Sequence, residues 1–147
     1  MSTTGGVVRM NYLAILVAGI ACFMLAAVWY TVFKQPWLAG TGRTEEWLMS
    51  AGANMAPVQY GTAFLCAVAM AAVIAWVTQA SGAQTAARGI KTGVLLWLGI
   101  VLPVWATEYA FELRPLSLLA INAGFWFLGF VIMGAIVGAW KKRGAAL

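Results

Sequence analysis

Few side chains in this sequence could take part in chemistry, and most of them lie near the ends of long apolar stretches. Glu108 and Glu112 are spaced i, i+4, so they share one helix face if a helix continues that far. Arg114 follows two residues later. A Glu–Arg ion pair is the simplest role for these residues at a membrane edge. A proton or cation site is the functional alternative, and plain solvent exposure is the third.

Asn122 is the one strongly polar residue inside the last apolar stretch, where an interhelical hydrogen bond worth about 1 kcal/mol is its expected role. Other polar and aromatic residues collect near the same end of the predicted helices and form a candidate outward-facing vestibule. Its members are Trp29, Tyr30, Gln59, Tyr60, Glu108, Tyr109, Glu112, Arg114, Asn122 and Trp126. Packing and lipid contact are the competing explanation for the aromatic rings.

The sequence contains few residues that could act in catalysis or bind a metal, because the chain has no His and its four acidic residues are all Glu. This removes the commonest metal ligand, the usual general base and any Ser-His or Cys-His pair. Cys22 and Cys66 both lie in apolar runs, which favours packing over a disulfide. We therefore expect no enzyme activity, no metal and no cofactor.

Composition identifies the elements that must position these residues. The chain of 147 residues is 63% hydrophobic and 9% charged, whereas soluble domains are about a quarter charged. It is predicted to be an all-α polytopic membrane protein with one domain, a four-helix bundle of four transmembrane helices. The spans are residues 11–33, 57–78, 89–107 and 116–140, and a short surface helix covers about 44–50. Thr44 is the expected N-cap of that surface helix, Pro57 begins the second span, and Pro103 kinks the third.

The charges predict the orientation of the four spans. Three basic residues and all four Glu fall on one side, and six basic residues fall on the other. The first group of basic residues is Lys34, Arg43 and Arg114, and the second is Arg9, Arg88, Lys91, Lys141, Lys142 and Arg143. Six against three predicts that both termini are cytoplasmic in a bacterial inner or plasma membrane. Topology and anionic lipid explain the net charge of +5 without nucleic acid.

Two stretches of the chain resemble each other at a shift of 63 residues, 60–77 and 123–140. Gly61 falls on Gly124, and a shift of 79 places Tyr30 on Tyr109. The pattern predicts two helical hairpins in the same orientation, related by a pseudo-two-fold axis along the membrane normal. A chance match between two apolar helices is the alternative.

Glycine pairs at a spacing of four allow close helix contact within the chain or between chains. The candidate helix-packing residues are Gly61, Gly89, Gly93, Gly124, Gly134 and Gly138. If they act between chains, a homo-oligomer follows, and symmetry favours a dimer.

Three motifs carry a resemblance to a known family: WYTVFKQPW (29–37), WLGIVLP (97–103), and RPLSLLAINAGFWF from Arg114, followed by GAIVGAW. The chain resembles the family called domain of unknown function 1761 over nearly its whole length. Members usually have Tyr after Ala-Gly, where this chain has Phe125. The resemblance implies a small four-span integral membrane protein and implies no activity.

Three functions remain open at this point. The first is a non-enzymatic oligomeric scaffold or an accessory subunit of another membrane protein. The second is a binder or transporter of a small molecule, lipid or ion that uses the outward-facing vestibule. The third, an enzyme acting on lipid or quinone, is disfavoured by the missing His and Asp. Membrane lipid, a second copy of the chain or an unknown membrane protein are the expected partners.

Overall fold

The computed structural model describes residues 10–142, and within them the chain folds into a bundle of helices with no strand. The helices are α1 (Tyr12–Val32), α2 (Lys34–Thr41), α3 (Glu45–Ala80), α4 (Ala86–Leu96), α5 (Leu102–Phe111) and α6 (Leu116–Ala139). A π-helical turn over Trp97–Val101 joins α4 and α5 into one continuous third span. Four helices are long and apolar enough to cross a membrane, as the composition predicts.

Because successive spans run in opposite directions, the bundle has two ends with different charge. The basic end is formed by the start of α1, the turn from α3 to α4, and the segment that follows α6; it carries Arg88, Lys91, Lys141 and Lys142. The glutamate end is formed by α2, the start of α3 and the turn from α5 to α6, and it carries all four Glu. Arg9 and Arg143, which the topology prediction also used, lie outside the described residues.

The core is small and made mostly of Ala, Ile and Val side chains, with Phe125, Phe130 and Met133 of α6 as its largest members. Helix α6 contacts every other helix of the bundle, so it forms the centre against which the others pack. Cys22 is buried beside it, as its apolar sequence context predicts. Cys66 is exposed on α3, so its predicted packing role is not fulfilled within the chain.

The glycine pairs explain how the third span approaches α6 so closely. A Cβ atom added to Gly89 would collide with the Gly134 carbonyl, and one added to Gly93 would collide with the Phe130 carbonyl. A Cβ atom at Gly138 would meet the Thr85 backbone in the same way. These four glycines therefore pack within the chain. Gly61 is different, since nothing lies within 4 Å of its Cβ position.

The second span differs most from its prediction. The surface helix predicted at 44–50 and the span predicted at 57–78 form one helix of 36 residues, Glu45–Ala80. At 1.5 Å per residue this helix is about 54 Å long, well beyond a hydrocarbon core of about 30 Å. Thr44 caps it as expected, with Thr44 Oγ1 accepting a hydrogen bond from the Trp47 N–H. Pro57 lies inside the helix rather than in its first turn.

Proline explains the irregularity of the third span, which begins and ends beyond the predicted 89–107. The Leu102 N–H donates to the Trp97 carbonyl, a bond five residues back. This widened turn immediately precedes Pro103, which has no N–H to donate and would crowd a regular helix. The expected kink is thus taken up by a π-helical turn. The segment between the first predicted span and the predicted surface helix also contains a helix, α2, whose Leu38 is buried.

Candidate functional site

The most polar interior site of the described chain is a hydrogen-bond network centred on Asn122, which is only 5% exposed. The Tyr30 hydroxyl of α1 donates to Asn122 Oδ1 over 2.8 Å. Asn122 Nδ2 in turn donates to the Tyr109 hydroxyl oxygen of α5 over 2.6 Å. One amide therefore joins three helices, and its oxygen and nitrogen both have partners.

Two tryptophans extend this network along α6. Trp29 Nε1 donates to the Ile121 carbonyl over 3.0 Å, and Trp97 Nε1 donates to the Ala123 carbonyl over 2.9 Å. Three consecutive residues of α6 thus accept hydrogen bonds from α1 and from the third span. We call Trp29, Tyr30, Trp97, Tyr109 and Asn122 the α6 network. Four of its members lie in the half of the bundle nearer the glutamate end, and Trp97 lies near the middle of the third span.

The local sequence explains why these side chains converge. Trp97 follows Gly89 and Gly93 at a spacing of four, so it lies on the helix face that meets α6. The sequence prediction missed Trp97 as a site residue, although this spacing was available as a signal. Gly124 makes room for Trp29, since its Cβ position lies 3.3 Å from Trp29 Cζ2.

Arg114 fastens the α2 segment to the start of α6. Its Nη1 donates to the Thr41 carbonyl over 3.1 Å, and its Nε lies 2.9 Å from Glu112 Oε2. The predicted Glu–Arg ion pair is therefore present for Glu112. Glu108 is exposed and forms no ion pair with any described residue. The predicted structural role, an ion pair with Arg114, therefore applies to Glu112 and not to Glu108.

The structure brings together only part of the predicted vestibule. Trp29, Tyr30, Tyr109 and Asn122 meet in the α6 network, and Trp126 packs its ring against Phe125 and Phe130. Three further candidates are exposed and make no hydrogen bond to the network: Gln59, Tyr60 and Glu108. Tyr60 instead makes an edge contact with Phe23.

Chemically, the α6 network contains hydroxyl, amide and indole groups and no charged side chain. Such groups can hold helices together by hydrogen bonds. The five side chains of the network do not include a general base paired with a nucleophile. Beside the network, a shallow groove of about 490 Å³ runs between the third span and α6. Its walls are apolar and include Trp97, Leu102, Leu119 and Phe127. Within residues 10–142, no group of three or more Cys or Glu residues could hold a metal ion.

Comparison with known proteins places the chain in a family. Residues 13–138 match the model of a family described as a protein of unknown function (DUF1761). No curated protein and no solved structure matches the chain. Because the match covers well over half of the sequence, the chain belongs to this family, and the resemblance seen in its motifs is confirmed. The family description assigns no activity.

Proposed function

We propose that this membrane protein is a non-enzymatic scaffold or accessory subunit, that it acts as a homodimer, and that the exposed face of α3 forms the interface. The observation that carries the proposal is a contrast in how polar groups are used. The interior polar groups of the α6 network all have partners within the chain. The polar groups of α3 in the same half of the bundle, Gln59 and Thr62, are exposed.

The exposed face of α3 has the composition of a helix–helix interface. Gln59, Thr62, Cys66 and Ala69 recur at helical spacing along one stripe, and all four are exposed. Small residues let backbones approach closely inside a membrane, and polar side chains form hydrogen bonds across such contacts. A second copy would cover this stripe with the same residues, because a two-fold interface pairs one patch with itself.

The absence of His and Asp from the sequence supports a non-enzymatic role. The charge pattern supports an orientation with both termini in the cytoplasm, so the glutamate end would face the opposite side. Under this proposal, the α3 extension beyond the hydrocarbon core would be available to a further membrane protein on that side. Trp47, Met49 and Met55 are exposed on this extension.

The test is cross-linking through Cys66, the exposed one of the two cysteines. A two-fold contact along the stripe places the two Cys66 thiols close together, so a short thiol cross-linker in lipid bilayers should trap a dimer. Cys66→Ser should abolish the product, and Ala69→Leu should weaken dimerisation about tenfold by blocking close approach along the stripe. Gly61→Leu is the control on the same helix, since Gly61 lies about 100° around α3 from Thr62 and has nothing within 4 Å of its Cβ position.

Two results would overturn the homodimer. One is a monomer at every protein-to-lipid ratio. The other is an equal loss of cross-linking in Ala69→Leu and Gly61→Leu, which would mean that the stripe is not the interface.

The second candidate function is binding of a small apolar molecule, and the groove beside the α6 network favours it. The groove lining is apolar, and the predicted vestibule residues do not line it. The observation therefore favours a hydrophobic ligand over an ion. Ala120→Phe would fill the groove. Loss of a co-purifying apolar molecule from this variant, detected by mass spectrometry, would support the candidate, and retention would count against it.

A further inference from the structure

A second cleft, unrelated to the α6 network, lies between α3 and α4 at the basic end. It has a volume of about 370 Å³ and is lined by Val77, Ser81, Arg88, Lys91, Thr92, Leu95 and Leu96. The lining changes character with depth. Arg88 lies in the first turn of α4, whereas Leu95 lies about 10 Å further along the helix. The cleft thus has a basic mouth and an apolar floor.

The positive charge at the mouth is held in place and has no acidic partner among residues 10–142. Arg88 Nη1 donates to the Ser81 carbonyl over 2.7 Å, which fixes the guanidinium and leaves its other N–H groups available. Lys91 is exposed three residues later. Both ion pairs among the described residues, Lys34–Glu45 and Glu112–Arg114, lie at the glutamate end. An anion at the basic end would therefore meet two cations without a competing carboxylate from the part of the chain that the structure describes.

Thr92 supplies an independent indication of a ligand. Its side chain is only 7% exposed and lines the cleft, yet its hydroxyl makes no hydrogen bond with any described residue. The buried Thr78 behaves in the usual way, with its hydroxyl donating to the Ile74 carbonyl over 2.6 Å. No fully enclosed side-chain polar atom of the described residues lacks a hydrogen bond, so the unpaired Thr92 hydroxyl is accessible from the cleft that it lines, where a ligand oxygen can accept its proton.

We propose that this cleft binds one anionic phospholipid from the leaflet at the basic end. Arg88 and Lys91 contact the phosphate, as basic residues between transmembrane helices do for anionic headgroups. The Thr92 hydroxyl donates to a phosphate or ester oxygen, and the start of an acyl chain lies along Val77, Leu95 and Leu96. The apolar floor distinguishes a lipid from free phosphate, which would leave that surface unused.

The experiment is native mass spectrometry of the full-length protein with phosphatidylglycerol and with phosphatidylcholine of the same chain length. The wild type should bind phosphatidylglycerol at least tenfold more tightly. Each basic residue near an anionic surface contributes about fivefold, so Arg88→Gln with Lys91→Gln should weaken binding about 25-fold. Thr92→Val, which keeps the shape and charge, should weaken it severalfold.

The control variant is Lys141→Gln with Lys142→Gln, which removes the same charge at the same end but outside the cleft. The loss of lipid affinity in this control should be at least fivefold smaller than the loss in the variant with Arg88→Gln and Lys91→Gln. Equal losses would reduce the effect to general electrostatic attraction and overturn the site, as would a wild type without headgroup preference. If Arg88→Gln does not fold for want of its bond to Ser81, the single variant Lys91→Gln decides the matter, because Lys91 is exposed.

A soluble competitor separates the lipid from its headgroup alone. Millimolar glycerol phosphate should leave the bound lipid in place, because it lacks the acyl chain that contacts the apolar floor. Displacement of the lipid by glycerol phosphate would show a site for phosphate itself, and the lipid assignment would be wrong. None of these outcomes depends on whether α3 forms a homodimer.

Discussion

Helices α3 and α6 resemble each other in sequence and differ in surroundings. At the shift of 63 residues, Gln59 corresponds to Asn122 and Gly61 to Gly124. Asn122 is buried and joins two tyrosines, whereas Gln59 is exposed. Gly124 packs beneath Trp29, whereas nothing lies within 4 Å of the Gly61 Cβ position.

The difference follows from where each helix sits in the bundle. Helix α6 is central and contacts both halves of the third span. Helix α3 packs on α4 near the basic end, but it makes no extended contact with α5 among the described residues. The amide and glycine residues that suit helix contact are therefore covered by other helices of the chain on α6, whereas the corresponding residues on α3 are exposed. Similar residues on two helices can therefore be covered by packing within the chain in one case and left exposed in the other.

The largest expected effect tests whether the glycines of α6 and α3 differ as this comparison requires. Gly134→Leu forces a side chain into the Gly89 backbone, so we expect a loss of about 4 kcal/mol or more in the free energy of unfolding, or no folded protein. Gly61→Leu should change the free energy of unfolding by less than about 0.5 kcal/mol. Denaturant titration in detergent measures both, and equal losses would contradict the comparison.

Much of this architecture could be predicted from the sequence, because it depends on local patterns. Apolar length predicted the four spans, and the ends of α1 and α6 lie within one residue of their predictions. The Thr44 cap and the glycine spacing on α4 and α6 were likewise readable from short stretches of chain. The pseudo-two-fold arrangement of the two hairpins stays a prediction.

The features that sequence reasoning missed depend on what surrounds each residue in the folded chain. Pro57 suggested a helix start, but both Pro57 and Ala53, whose carbonyl loses its donor, are exposed near the glutamate end. That carbonyl can be hydrated there, so the helix continues through the proline. Helix α2 forms although its sequence contains Pro36 and Gly40, because Leu38 is buried and Gly40 packs on Leu118.

The same reasoning applies to the candidate site. Residue types identified Tyr30, Tyr109 and Asn122 as candidates, and all three meet in the α6 network. Residue types could not show that Gln59 and Glu108 are exposed outside it. Which face of a helix turns inward is decided by the packing of its neighbours, and α5 and α3 leave each other uncovered.

The next effect in size compares the two amides. Asn122→Ala leaves the Tyr30 and Tyr109 hydroxyls without their partner, so we expect it to cost about 2 kcal/mol of unfolding free energy. Gln59→Ala should cost less than about 0.5 kcal/mol, because Gln59 is exposed. Should Gln59→Ala prove as destabilising as Asn122→Ala in the same detergent, α3 and α6 would not differ in the way described.

A smaller effect is expected at Tyr30 and Tyr109, which correspond to each other in the predicted repeat. The question is whether they contribute equally to the free energy of unfolding. Tyr30→Phe and Tyr109→Phe each remove one hydroxyl from Asn122, at an expected cost of about 0.6 to 1 kcal/mol. In a double-mutant cycle with Asn122→Ala, the coupling free energy of Tyr30 with Asn122 should be similar in size to that of Tyr109 with Asn122. Zero coupling for Tyr109 would remove α5 from the network and leave Asn122 bonded to α1 alone.

The smallest expected effect concerns the ion pairs at the starts of the two compared helices. Lys34 Nζ of α2 lies 3.1 Å from Oε1 of Glu45, the first residue of α3, and Arg114 Nε lies 2.9 Å from Glu112 Oε2 just before α6. The hydrogen bond from Lys34, then that from Gln35, holds the pKa of Glu45 below its usual value. A lowered folded-state pKa stabilises the protein above the unfolded-state pKa, and this contribution disappears as the pH falls through the folded-state value.

Glu45→Gln should therefore be slightly less stable than the wild type at neutral pH and equal to it in strong acid. Thermal unfolding between these limits measures the difference, and Glu46→Gln is the charge-matched control, since Glu46 forms no ion pair with a described residue. Both carboxylates are solvent-exposed at the start of α3, so high salt should also shrink the difference. An identical pH profile for the two variants would mean that the connection into α3 is held by its helical packing and not by charge.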